Sequence, residues 1–169
     1  LSYAILGAVT TLDDSSSWSS QMLKGRNRNY FISRIKQDLF SGNSFIGFMS
    51  TSHMENSDHT FSVDGMANFF DNRIGIDGQI IKTLDEHKGI YGSLSFSPLG
   101  YFNGWANYYH YDKGLNLNDV GYLWRDDYTQ TKLGLQFQNF DFWNIIRNAS
   151  VVLEGDKKEN SNGLDLGRT

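Results

Sequence analysis

The sequence predicts an all-β chain. It reads as part of an antiparallel up-and-down transmembrane β-barrel, with about ten long strands joined by hairpins. Three observations predict this. Apolar and polar residues alternate with period two from end to end, with almost no helical periodicity. The alternating segments run to about nine to eleven residues, the length of a tilted membrane-spanning strand, whereas ordinary globular strands average about five or six. Short connections also alternate with longer polar ones, as in barrels with short turns at one rim and long loops at the other.

The clearest strand is Thr60 to Phe70. Phe61, Val63, Gly65, Ala67 and Phe69 fall on one face, and Thr60, Ser62, Asp64, Met66 and Asn68 on the other. Ile74, Ile76, Gly78 and Ile80 then oppose Asp77 and Gln79. Ile90, Gly92, Leu94 and Phe96 oppose Tyr91, Ser93 and Ser95, and Leu133, Leu135 and Phe137 oppose Lys132, Gln136 and Gln138. Successive strand residues point to opposite sides of a sheet, so each segment owns an apolar face and a polar face. Further strands are expected near 2–10, 17–25, 29–38, 44–52, 101–111 and 144–154. If the apolar faces meet lipid, then Asp64, Asn68, Asp77, Gln79, Lys82, Lys132, Gln136 and Gln138 line a hydrated lumen.

Short connections are expected at Ser41–Asn43, Asp71–Asn72 and Ser97–Gly100, with a slightly longer one at Asn139–Trp143. Long polar ones are expected at His53–His59, Leu84–Lys88, Asp112–Asp127 and Gly155–Gly163. Thr11–Ser17 breaks the alternation by being a little long. Aromatic residues gather toward strand ends: Phe69 and Phe70, Tyr101 and Phe102, Tyr108, Tyr109 and Tyr111, and Phe140, Phe142 and Trp143. An interfacial girdle has this pattern. Glycines within strands, such as Gly47, Gly78 and Gly134, allow close backbone approach and curvature.

Composition removes several functional classes. The 169 residues hold no Cys and one Pro, with 12 Phe, 9 Tyr and 4 Trp and a net charge of −4. Without Cys there is no disulfide framework, Cys-ligated zinc or thiol nucleophile. Mild acidity argues against a nucleic-acid binder. No apolar run approaches the roughly 18 to 20 residues of a membrane helix. No signal-peptide pattern is present, so any export signal is expected to lie elsewhere. The chain begins at Leu1 already strand-like and stops at Thr169 on a pattern that reads as the start of a strand. The expectation is therefore one barrel segment, 1–169, truncated at both ends.

No motif carries catalysis. His53-Met54-Glu55-Asn56-Ser57-Asp58-His59 holds two His and two carboxylates, but its spacing matches no strong metal motif, and no metal is expected. Asp13-Asp14 and Asp126-Asp127 sit in turns, where adjacent carboxylates do not face each other across a substrate. Asn148-Ala149-Ser150 fits a glycosylation sequon by chance, inside a strand.

The most specific stretch is Asn118-Asp119-Val120-Gly121-Tyr122, followed by Trp124 and Arg125-Asp126. It resembles a recurring segment of an uncharacterised bacterial outer-membrane β-barrel domain that follows a carbohydrate-binding module of the family-9 type. Leu6-Gly7-Ala8-Val9 before Trp18-Ser19 is similar to a hairpin early in that domain. Asn29 to Leu39 before Ser44-Phe45-Ile46-Gly47 is similar to the next, so the resemblance spans most of the chain in order. It implies a barrel in the outer membrane of a Gram-negative bacterium. The sugar-binding module itself is absent, and the family's barrel has no established catalytic residues to carry over.

Gly121 permits a turn, and the expectation is that Asp119 pairs with Arg125 and that Asn118 caps the turn. Tyr122 and Trp124 would pack inward across the barrel mouth, so that the loop restricts or gates it; the alternative is a motif that only stabilises the loop and binds no ligand. Trp105, Tyr109, Tyr122 and Trp124 are the candidate ligand-stacking or plug residues. The expected role is a non-enzymatic membrane anchor or conduit, without cofactor, linked to glycan binding or uptake. Its expected partners are the lipid bilayer, glycans and other outer-membrane or periplasmic proteins, and not nucleic acid. The rival is a soluble β-sandwich or lipocalin-like barrel that binds carbohydrate or a small apolar ligand. A glycan-processing enzyme would need two carboxylates facing each other across a cleft, which no segment supplies.

Overall fold

A computed structural model of the chain describes residues 1–10, 28–53, 58–117, 123, 125–139 and 149–167. Among these, nine strands form one sheet in which every strand pairs antiparallel with its sequence neighbour. They are β1 (Ser2–Thr10), β2 (Arg28–Leu39), β3 (Ser44–His53), β4 (Asp58–Phe69), β5 (Ile74–Thr83), β6 (Lys88–Leu99), β7 (Phe102–Tyr111), β8 (Tyr128–Asn139) and β9 (Ala149–Glu159). The class is the expected one: all-β, up-and-down and antiparallel. The strands span 9 to 12 residues. The sheet is open, with β1 and β9 at its edges. The strand expected at 17–25 lies outside the described residues, and β1 pairs directly with β2.

Residues paired across strands share a face, so the register fixes two surfaces. The outer one carries Tyr3, Ile5 and Val9 of β1, Phe48 of β3, Val63 and Phe69 of β4, Ile76 and Ile80 of β5, Leu94 and Phe96 of β6, Leu133, Leu135 and Phe137 of β8, and Val151 and Leu153 of β9. All of these are exposed, Ile80 by 56% and Leu153 by 67%. On the inner face, Thr51, Ser62 and Gln130 are buried polar residues. The usual order of a globular core, apolar inside and polar outside, is reversed. Among the described residues, buried hydrophobics are confined to Leu115, Leu117 and Tyr128.

The apolar band does not follow the hydrogen-bonding direction. One cross-strand row runs Tyr3, Ile35, Phe48, Val63, Ile80, Ile90, His110, Thr129, Glu159. It starts inside the band and ends well outside it. On β1 the band lies between this row and Val9, six residues further on. On β9 it lies at Leu153 and Val151, six and eight residues short of Glu159.

Two turns at one end share a construction. Phe40, Ser41 and Gly42 between β2 and β3 all have positive φ (48°, 58° and 92°), as do Phe70, Asp71 and Asn72 between β4 and β5 (54°, 54° and 64°). Each turn is closed by one backbone bond, from Asn43 N to Phe40 O at 3.3 Å and from Arg73 N to Phe70 O at 3.1 Å. Each opens on a Phe in the left-handed region, a conformation bulky side chains avoid, and each Phe is highly exposed.

Three expectations are corrected. Lys82 pairs with Phe61 and Lys88 on the outer face, beyond the apolar residues, and does not line the polar face. Its parity is that of Ile76 and Ile80, and its charge sits at the strand end, near Glu86 at 3.9 Å. The connections expected to be long at 53–59 and 84–88 span only 54–57 and 84–87, no longer than those at 40–43 and 70–73. Polar residues that read as loop, such as Asp58, His59 and Lys88, continue the backbone ladders. Likewise β9 runs on to Glu159 where a loop was expected from Gly155. There Asp156, Lys157 and Lys158 pair with Lys132, Thr131 and Gln130.

Candidate functional site

The site that the inner face presents is a belt of side chains along one cross-strand row. From β3 to β9 it reads Gly47, Asp64, Gln79, Tyr91, Tyr109, Gln130, Lys158. Period-two alternation puts these seven on one face, and antiparallel pairing sets them level.

At one end Asp64 reaches across β3 to β2. Its Oδ2 accepts a hydrogen bond from Arg34 Nη2 at 2.6 Å. The strand between contributes Gly47, where a β-carbon would stand 2.8 Å from Asp64 Oδ1. The missing side chain is what lets the carboxylate lie across β3. Asp64 Oδ1 and Ser62 Oγ, neighbours on this face of β4, are buried and carry no hydrogen-bond partner.

In the middle stand Tyr91 and Tyr109, with ring centroids 5.1 Å apart and planes at 33°. Both are half-buried. At the other end Tyr128 Oη donates to Gln130 Oε1. Gln130 Nε2 donates to Asp156 Oδ1 at 2.7 Å, and Lys158 Nζ lies 3.3 Å from Asp156 Oδ2. Charges at both ends are therefore paired, and the centre of the belt offers phenols and the Gln79 amide.

One side of the belt is roofed. The start of the β7–β8 connection turns back so that Leu115 lies over the inner face at Gly89, and Leu115 and Leu117 are buried. A β-carbon at Gly89 would meet Leu115 Cδ2 at 3.1 Å and the Tyr111 ring at 3.0 Å. Tyr111 and Tyr128 stack beneath, 6.4 Å apart and nearly parallel. The roof is pinned by Gly114 N donating to Asp126 Oδ2 at 2.7 Å and Lys88 N donating to Asp112 Oδ2 at 2.8 Å. Gly114 has φ +87°, with His87 against it. Asp127 Oδ1 accepts from Ser161 N at 2.8 Å. Hydrogen bonds from Ser161, with help from Lys113 and Arg125, hold the exposed Asp127 carboxyl below its usual range.

Of the residues singled out from sequence, Trp105 and Tyr109 both lie on the inner face of β7. They do not form one shelf. Trp105 lies flat over Gly134, where a β-carbon would fall 2.1 Å from its indole carbons. Tyr109 pairs instead with Tyr91. Asp126 holds the roof, and Arg125 is exposed. Asn118, Asp119, Gly121, Tyr122 and Trp124 lie outside the described residues, so the Asp119–Arg125 pair and an inward-packed Tyr122 or Trp124 do too. His53 and His59 fall on opposite faces. His53 stacks on Tyr30 at 5.0 Å, while His59 Nδ1 meets Ser52 Oγ at 2.8 Å. Among the described residues no group of His and carboxylates converges as a metal site.

Tyr91, Arg34 and Leu115 escape a reading of single strands. Tyr91 is found only once the β6–β7 register is known, and that register shifts between Phe96 and Leu99. No protein-family model, curated protein or solved structure matches the chain.

Proposed function

We propose that this chain is a stretch of outer-membrane β-barrel wall from a Gram-negative bacterium, acting as a membrane anchor or conduit with a polar lumen. The observation that carries this reading is the slope of the exposed apolar band. From β1 to β9 the middle of the band moves roughly ten residues along the strands, about 1.2 residues per strand. With a rise of about 3.3 Å per residue and about 4.8 Å between strands, that is an inclination of about 40°. Strands in closed membrane barrels tilt by about 35–45°. A level hydrocarbon layer around a tilted sheet demands such a drift, and a soluble sheet has no reason to show it.

Two further features support the reading. Exposed Phe40, Phe70 and Tyr101 mark the turn end, where the amphipathic interface accepts aromatic rings. The roof of Leu115 and Leu117 restricts the mouth at the other end, which favours a gated conduit over an open pore. A lipocalin-like barrel would turn its apolar face inward, and here that face is the exposed one.

The test is electrophoretic mobility in SDS with and without boiling, on protein extracted from the membrane fraction. A barrel resists SDS at room temperature and shifts on heating. Protein that stays soluble without detergent and shows no heat-dependent shift would sink the proposal.

A further inference from the structure

We infer that the belt through Tyr91 and Tyr109 binds a neutral, hydroxyl-rich solute, and that an oligosaccharide is the chemical class it fits. This rests on the conduit reading and names its cargo. The argument begins with charge. Arg34 pairs with Asp64 at 2.6 Å and Lys158 with Asp156 at 3.3 Å, so both ends of the belt are close to neutral. An anion would need a free cation in the row, where Arg34 and Lys158 are already paired, and Asp77, on the same face beside Tyr91, adds a carboxylate that disfavours one further.

The second step is hydrogen bonding. Ser62 lies beside the belt residue Asp64 on the inner face of β4, and the Asp64 carboxylate is engaged by Arg34. Gln79, level with Asp64 on the next strand, adds an amide that both donates and accepts.

The third step is the aromatic pair. Tyr91 follows Gln79 in the row, and its ring with that of Tyr109 gives a half-buried apolar platform edged by hydroxyls. A sugar ring presents one apolar C–H face and a rim of hydroxyls, which match aromatic rings flanked by the Gln79 amide, Ser93 and Asp77. Trp105 continues the inner face of the same strand four residues away, about 13 Å along β7, so a chain of several sugar units spans both aromatic positions. It is covered on one side by Gly134 and is half-buried.

The experiment is isothermal titration of detergent-extracted protein with maltotriose, cellotriose and chitotriose. Trigalacturonate and a polyethylene glycol of similar mass serve as controls. At least one neutral trisaccharide should bind, with trigalacturonate and the glycol at least tenfold weaker. Tyr91→Ala and Tyr109→Ala should each weaken binding by about tenfold, while Tyr109→Phe keeps most of it. Asp64→Asn, which keeps an acceptor but loses the pair with Arg34, should weaken binding less than Tyr109→Ala. The heat-dependent gel shift of each variant, measured on the same preparation, reports whether the barrel is intact. A normal shift with no trisaccharide binding, with trigalacturonate preferred, or with binding indifferent to both Tyr→Ala changes overturns the inference and leaves the barrel standing. Loss of the shift in the unmutated protein overturns the conduit reading instead.

Discussion

The two faces of the sheet obey opposite rules. Outside, the residues are aliphatic or aromatic, exposed, and make few specific contacts beyond ring pairs such as Phe48 with Phe61 at 6.4 Å. Inside, they are mostly polar or aromatic, and several are tied to one another across strands, as Arg34 is to Asp64. The difference teaches where each face gets its stability. The outer face contributes through transfer of area out of water, which is indifferent to partner and tolerant of exchange among apolar residues. The inner face depends on particular pairs, because each buried polar atom must find a partner or remain costly.

The strongest test of the contrast places one charge on either side of one strand. Leu135 and Gln136 are neighbours on β8, outer and inner. Leu135→Arg should cost roughly 2–4 kcal/mol, because it puts a cation in the apolar band. Gln136→Arg should cost about 0.5 kcal/mol or less. Urea unfolding of protein reconstituted in lipid vesicles measures both, and equal costs would abolish the distinction between the faces.

A smaller effect sharpens the inner-face rule. Arg34→Ala leaves Asp64 without its cation and should cost about 1–3 kcal/mol, at the low end because Arg34 is partly exposed. Gly47→Ala drives a methyl into Asp64 and should break the same pair. The double variant should therefore cost clearly less than the two single costs combined. Additive costs would mean that Gly47 serves some purpose other than the ion pair.

Next in size is the turn end. Phe70→Asn should stabilise the protein in detergent by about 1 kcal/mol, since Asn tolerates the left-handed conformation better than Phe. In lipid vesicles the gain should shrink, because an interfacial ring is lost. A gain of the same size in both media would remove the anchoring role of Phe70.

The smallest effect is a pH dependence at the roof. The Asp127 carboxyl is held below its usual range in the folded protein. Its contribution is therefore present above the ordinary carboxylate pKa of about 4 and is lost as pH falls through the lower folded value. Amide exchange at Ser161, which donates to Asp127, should quicken at acid pH beyond the intrinsic rate. Asp127→Asn should erase that pH dependence, and an unchanged profile in the variant would assign it to another group.

Much of the fold was legible in particular residues. Alternation through Thr60–Phe70 and Leu133–Gln138 placed β4 and β8 and divided their side chains correctly, because side-chain direction in a strand is a local property. Strand ends were less legible. Lys88, Asp156 and Lys158 look like loop residues, yet a backbone ladder is satisfied by any residue with an N–H and a C=O. The candidate site was half legible. Tyr109 and Trp105 were singled out as candidate stacking residues and share the inner face of β7, but their neighbours Tyr91 and Gly134 were not legible.

The sequence by itself determined the class, the strand period and which side chains share a strand face, since these follow from covalent geometry and the apolar pattern. Only the tertiary structure decided what meets what. It set Tyr91 against Tyr109 through a shifted register, let Asp64 cross Gly47 to Arg34, and folded Leu115 over Gly89. The slope of the apolar band was likewise settled by pairing. Each strand carries its own apolar stretch, but how that stretch lines up with the next depends on hydrogen bonds between residues far apart in the chain.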